Sequence, residues 1–293
     1  MQETHSNGCN KGIPSFQKLV VYTGNLIQTG TAGSNTSLRK SNTELVKSLK
    51  DTFSTSMGSE YLSFCYDEVQ RILEVPDIRD RKAPDEERSD IDITVKFFYL
   101  PCSDPNHLNR PPPEYISEAL SYLEKLLGSN TVDTLILSFS GVNFYDFDEE
   151  KERDDIDKKI LVWRELEKAK QNGHIKTLGI SEFSKSHLEV FLKSGVNVPP
   201  AVNQVNLDDC CAIPQDLMQF AREQNIELLT HGDCSDILPA STLDSILREH
   251  KILSNEKQSV VPRWVIRYSA VIQSRGIVAD RGYIIMASDS GCN

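Results

Sequence analysis

From residue 91 to residue 231, apolar strand patterns alternate with amphipathic helix patterns, and the links between them are short. Parallel strands joined in this way stack as βα units, which leaves few architectures open. "IDITVKFFYL" (91–100) is expected as a strand, 114–127 as a helix closed by Gly128, and "TVDTLILSF" (131–139) as the next strand. The helix expected over about 156–172 puts Ile156, Ile160, Trp163 and Leu166 on one face and ends at Gly173. "IKTLGIS", "AVNQVNL" and "IELLTH" are further strands, with helices over 185–194, from Pro214 at the first helical position to about Asn225, and near 240–250.

The flanks are less regular. "KLVVYTGNLI" (18–27) is expected as the first strand, followed by helices over about 43–55 and 60–74, the second carrying Leu62, Tyr66, Val69 and Leu73. The charged stretch at 77–90 is expected as a solvated loop. Pro262 is expected to open a helix with Val261, Trp264, Val265, Tyr268 and Ile272 on one side, and "GYIIMAS" closes the series as a strand. Seven or eight βα units in one domain over 18–293, after a flexible polar extension at 1–17, fit a (β/α)8 TIM-type barrel, whose usual length is about 250 residues. A doubly wound open sheet is the other candidate. It lacks the G-x-G-x-x-G turn after its first strand, and the chain has no P-loop.

Composition removes several functions. The formal net charge is −11, with no basic stripe, so neither nucleic acid nor an anionic membrane is an expected partner. No apolar run reaches the ~18 residues that span a bilayer, and the first residues lack the apolar core of a secretory signal. The seven cysteines are scattered, without C-x-x-C spacing. Reduced thiols in the cytoplasm or nucleus are expected, and no metal site.

Lys96 is the one charge inside an apolar strand, and either faces a functional cavity or snorkels from an edge. His231, at a strand end, is an acid/base group or a packed, hydrogen-bonded histidine, with Asp233 as its nearby partner. His174, beside a helix end, is structural. Cys210 and Cys211 sit beside Asp208 and Asp209, which should raise their pKa values, so they are idle loop thiols or redox-sensitive, partner-linking ones. The acidic run at 146–157 is a solvated face before a helix, and "TGTAGSNTS" (29–37) is a flexible loop or an anion nest.

"ITVKFFYL", "DTLILSF", "VWRELEKAKQNGHIKTLGISEFS" and "AVNQVNL" resemble, in order, landmarks of the aldo-keto reductases. The resemblance implies a barrel of that type, with degraded N-terminal units, and a reaction run by Asp, Tyr, Lys and His with NADP. Lys96 matches the lysine, and Ser138 stands where the family has its histidine. Tyr61 or Tyr66 could align with the tyrosine, but neither has the aspartate ahead of it. Gln204 matches a family glutamine, whereas the Ser-Asn pair that holds the nicotinamide amide reads Ser181-Glu182, and His231 replaces a stacking tyrosine. The phosphate clamp reads "IIMAS" (284–288). The resemblance therefore implies no catalytic set and no bound cofactor; the alternative is an NADPH-dependent reductase with a remodelled site on Lys96, Tyr61 or Tyr66, and His231.

"TGNLIQTG", "VNQVNLDDCCAIPQDLMQFA", "IELLTHGD" and "VPRWVIRYSAVIQSRGIV" also resemble a narrower family, the modifier (regulatory) subunits of glutamate–cysteine ligase. That resemblance implies a non-catalytic partner of the ligase catalytic subunit, which raises its apparent affinity for glutamate and relieves feedback inhibition by glutathione. Cys210, Cys211 and Cys292 are the candidates for a disulfide link to that partner.

Overall fold

The computed structural model describes residues 13–27, 41–57, 62–82, 86–100, 114–145, 147–207, 212–234, 236–253, 255 and 258–289. The N-terminal part comprises β1 (Lys18–Tyr22), α1 (Ser41–Ser56), β2 (Cys65–Asp67) and β3 (Ile72–Val75). The repeating part follows: β4 (Ile91–Tyr99), α2 (Glu114–Leu127), β5 (Val132–Phe139), α3 (Glu149–Gln171), β6 (Ile175–Ser181), α4 (Lys185–Lys193), β7 (Val202–Asn206), α5 (Gln215–Glu223), β8 (Glu227–His231) and α6 (Ala240–Glu249). Two long strands, β9 (Val260–Ile272) and β10 (Ile277–Asp289), end the described chain.

The fold is α/β, and β4 to β8 form the expected run of neighbouring parallel strands. All ten strands share one sheet in the order β2-β3-β1-β10-β9-β4-β5-β6-β7-β8. Among the described residues no ladder joins β8 to the opposite edge. The sheet nevertheless curls: Lys96 on β4 reaches Asp233, just beyond β8, at 2.8 Å.

Two expected helices are strands. Residues 60–74 hold the β2–β3 hairpin, in which Asp67 Oδ1 accepts from the N–H groups of Val69 and Gln70 and closes the turn. This local side-chain cap, with Arg71 at φ 54°, competes successfully with a helix. Residues 260–272 form β9, antiparallel to both β4 and β10. Trp264, Ile266, Tyr268 and Ala270 belong to one core cluster, and Val260 and Val265 to another. A strand buried on both faces shows no polar alternation, so its apolar run imitates one side of a helix.

Smaller differences have local causes. Helix α3 begins at Glu149, ahead of the expected start, because Asp148 Oδ1 accepts from Glu150 N–H and the carboxylates of the first turn suit a helix N-terminus. Pro214 is the N-cap of α5 instead of its first helical residue. Gly128 ends α2 at φ 69°, the left-handed conformation that favours glycine there. Of the expected polar extension, residues 1–12 lie outside the described residues, and Phe16 near its end is buried.

Two apolar clusters sandwich the sheet. One joins α2, α3, α4 and α5 to β4–β7 and includes Trp163, Leu166, Phe183 and Phe191. The other packs α1 (Leu45, Leu49, Phe53) and α6 (Leu243, Ile246, Leu247) against Phe98, Val265, Tyr283 and Ile285. In β10, a Cβ at Gly282 would lie 2.5 Å from the Gly24 carbonyl oxygen and 2.8 Å from the Tyr268 hydroxyl. Gly282→Ala is expected to cost about 1–3 kcal/mol. An unchanged urea midpoint would contradict this close approach.

Candidate functional site

Near the carboxyl ends of β6, β7 and β8, five of the polar residues singled out in the sequence meet: Lys96, Ser181, Glu182, His231 and Asp233. Lys96, midway along β4, pairs in register with Ile136 on one side and Arg267 of β9 on the other. Its strand is central and its side chain is 3% exposed, which removes the edge and snorkelling readings. Lys96 Nζ donates to Asp233 Oδ2 at 2.8 Å, and Arg267 Nη1 donates to the other oxygen of the same carboxylate. Burial pushes the Lys96 pKa down to about 8, against the opposing pull of Asp233. Burial alone would raise Asp233, but the Lys96 and Arg267 charges outweigh it and hold that carboxyl at about 2. At neutral pH the group is thus a charged Lys–Asp–Arg triad.

His231 completes the group from the end of β8. Its Nδ1 accepts from the Asp233 N–H at 3.0 Å, which leaves Nε2 as the ring's donor. Nε2 lies 2.5 Å from Glu182 Oε1 and 3.2 Å from Ser181 Oγ. His231 is thus hydrogen-bonded on both ring nitrogens, with Glu182 on one side and the Asp233 N–H on the other. Glu182 follows β6 at φ 67°, a conformation that a non-glycine side chain adopts only when held, and its Oε1 also accepts from the Asn206 N–H at 2.9 Å. Asn206 Nδ2 in turn donates to the Asp233 carbonyl.

Among the described residues, no hydrogen bond joins Ser138 or Tyr66 to this group. Ser138, half-buried near the end of β5, is in register with Phe98. Tyr66 belongs to the β2–β3 hairpin, where its hydroxyl donates to the Ser15 carbonyl. Tyr61, Cys210, Cys211, Cys292, Asp208, Asp209 and the "TGTAGSNTS" segment lie outside the described residues. His174 Nδ1 is 3.0 Å from the Asn130 carbonyl oxygen, a local structural contact. Sequence reasoning missed Arg267, hidden by the helical reading of its strand, and did not connect Asp233 with Lys96.

The family resemblance implies a nicotinamide dinucleotide, and these residues do not fit one. The Glu182 carboxylate is committed to His231 and Asn206, where an amide would be needed. Ile284 to Met286, at the clamp position, are 0–1% exposed in the middle of β10, with ladders to β1 and β9 on either side. Gln204 Oε1, buried without a partner, is the one acceptor left in place. Among the described residues no group of three or more His, Cys, Asp or Glu could hold a metal ion, and no helix is long and apolar enough to cross a membrane.

A second ionic group is buried between α3 and α4. Glu152 pairs with Lys159, and its other oxygen, Oε1, is buried without a partner. His187 Nε2 is 3.9 Å from Glu152 Oε2, and its Nδ1 accepts from the Ser184 N–H in a capping box. Phe147 and Phe183 flank the ring at 4.9 and 5.5 Å between centroids. Burial, with the nearby Lys159 charge, lowers the His187 pKa to about 4.

Comparison with known proteins gives a consistent picture. The sequence profile of the aldo/keto reductase family matches residues 77–236. A Schizosaccharomyces pombe protein provisionally named glutamate–cysteine ligase regulatory subunit is 30% identical over 92% of this chain and 96% of its own. The Rattus norvegicus glutamate–cysteine ligase regulatory subunit is 41% identical over 129 residues, which are 44% of this chain and 46% of that one. A solved aldo/keto reductase from Brucella melitensis is a more distant likeness, 25% identical with a TM-score of 0.36, covering 57% of this chain and 56% of that one.

Proposed function

The chain belongs to the aldo/keto reductase family, together with the glutamate–cysteine ligase regulatory subunits it matches, and we propose that it acts as such a subunit with no catalysis of its own. It binds the ligase catalytic subunit, lowers the apparent KM for glutamate and relieves inhibition by glutathione. The observation that carries this reading is the state of Lys96. The one retained member of the reductase set is 3% exposed and tied to Asp233. The Phe98 ring, its centre 5.3 Å from Nζ, lies beside the amine and belongs to the apolar cluster that holds Leu45, Leu49 and Phe53 of α1. Hydride transfer needs a proton donor within reach of a carbonyl and an oriented cofactor. Among the described residues the amine is held by a carboxylate and lies against a phenyl ring, which supports a site that has left this chemistry.

Activation requires tighter binding to the partner's active state than to its inhibited one. A coupling of ~1–3 kcal/mol corresponds to changes of ~5–150-fold in glutamate affinity. The test is glutamate titration of the catalytic subunit with and without this chain, repeated with glutathione present. A decrease in KM within that range is expected, and an unchanged KM and glutathione inhibition would overturn the reading. A thiol link through Cys210, Cys211 or Cys292 and a cytoplasmic setting, nucleus included, belong to the same proposal; they rest on the scattered cysteines. A non-reducing gel that keeps the heterodimer band after serine replacement of all three would exclude these thiols.

A further inference from the structure

The two edges of the sheet are unlike. Strand β2 at one edge has three residues. Strand β8 at the other has five, and Glu227, Leu229 and Thr230 on it are exposed. Soluble proteins usually blunt such an edge with lysine, proline, a bulge or a covering element. The sequence Glu-Leu-Leu-Thr-His has none of the first two, and its ladder to β7 runs from Val202↔Glu227 to Asn206↔His231 without a shift. Glu227 N–H donates to the Ala201 carbonyl, towards β7. Backbone direction alternates along a strand, so Leu228 and Thr230 turn their N–H and C=O groups outward. Among the described residues no strand pairs with this edge, so a backbone template is presented beside the half-exposed Leu229.

We propose that this edge receives an extended, basic segment of the ligase catalytic subunit, which adds a strand to the sheet; this rests on the regulatory-subunit reading above. Main-chain pairing to Leu228 and Thr230 would supply affinity, and an apolar side chain opposite Leu229 the register. Charge selects the occupant. Helix α5 and β8 expose three carboxylates, Asp216, Glu223 and Glu227, against one guanidinium, Arg222. Two copies of this chain, each at −11, would bring like charges together, whereas lysine or arginine opposite Glu227 is favourable.

The test substitutes the outward groups only. Thr230→Pro removes one edge N–H and blocks an incoming strand while sparing the ladder to β7, and proline is tolerated at edges. Glu227→Lys reverses the charge and keeps every backbone group. Binding to the immobilised catalytic subunit and glutamate KM are measured for the full chain and both variants, with circular dichroism as a fold check. Each variant is expected to weaken binding by about tenfold or more with the fold intact. Unchanged affinity in Glu227→Lys, or in a natively folded Thr230→Pro, overturns the edge proposal, provided the unsubstituted chain still lowers KM. If the unsubstituted chain does not change KM, the regulatory reading falls instead. Self-association that Thr230→Pro abolishes would assign the edge to a second copy and also overturn the proposal.

Discussion

Asp233→Ala lowers the stability of the isolated chain by about 3–5 kcal/mol, the cost of breaking a buried ion pair from one side. Lys96 and Arg267 both lean on this carboxylate, and their situations differ. The Arg267 side chain is 26% exposed and can turn to water, but Lys96 at 3% cannot. With its partner gone, the amine loses the attraction that opposes burial and is expected to shed its proton at neutral pH. Asp233→Asn should cost nearly as much, because the amide keeps the shape and loses the charge. Replacing both partners, as Lys96→Met with Asp233→Leu, should recover most of the loss, since apolar substitutes for a buried pair are often neutral or better. Urea unfolding of the four proteins decides it. A single mutant within about 0.5 kcal/mol of the parent, the range of an ordinary surface change, would rule out a buried charge dependence.

Acidification from pH 6.5 to 4 is expected to remove up to about 3 kcal/mol through His187 alone. The folded-state pKa is near 4 and the ordinary histidine value is 6.5, so within this window the unfolded chain binds the extra proton and the folded chain does not. Stability is present above pH 6.5 and falls as pH drops through the window. The groups facing the ring are Lys159, Glu152, Ser184, Phe147 and Phe183. His187→Gln keeps an acceptor for the Ser184 N–H, as glutamine does in a capping box, and removes the titration. Its urea midpoints should be nearly flat over the same range. Asp233 acts lower: its folded pKa of about 2 lies below 3.8, so its contribution is lost only as pH falls through that lower interval. Equal slopes for the parent and His187→Gln would refute the assignment.

The parts legible in the sequence were those governed by local chemistry. Strands β4 to β8 and their helices could be bounded within a few residues, except the start of α3, because Gly128, Gly173 and Pro214 mark ends, and Ile156, Ile160, Trp163 and Leu166 mark a face. Lys96 could be singled out, since a charge in an apolar strand needs a reason. What stayed hidden depended on contacts between distant segments. Asp233 lies 137 residues from Lys96, and nothing near it in the chain announces the pairing. Arg267 vanished into a pattern that fits a helix until β4 and β10 flank it. The turn at Asp67 outweighed the spacing of Leu62, Tyr66, Val69 and Leu73, because one short side chain capped two amides.

The order of strands also bears on how the molecule assembles. Among the described residues, β1–β3 and β4–β8 share no ladder of their own; β10 and β9 are the bridge. A growing polypeptide therefore carries two separate partial sheets until its β9–β10 hairpin leaves the ribosome and clasps them. Contacts that close over so great a chain distance form late, and until then each fragment shows a bare edge to its neighbours. A premature stop before Val260 would leave those fragments unjoined, and chaperones would have to shelter them.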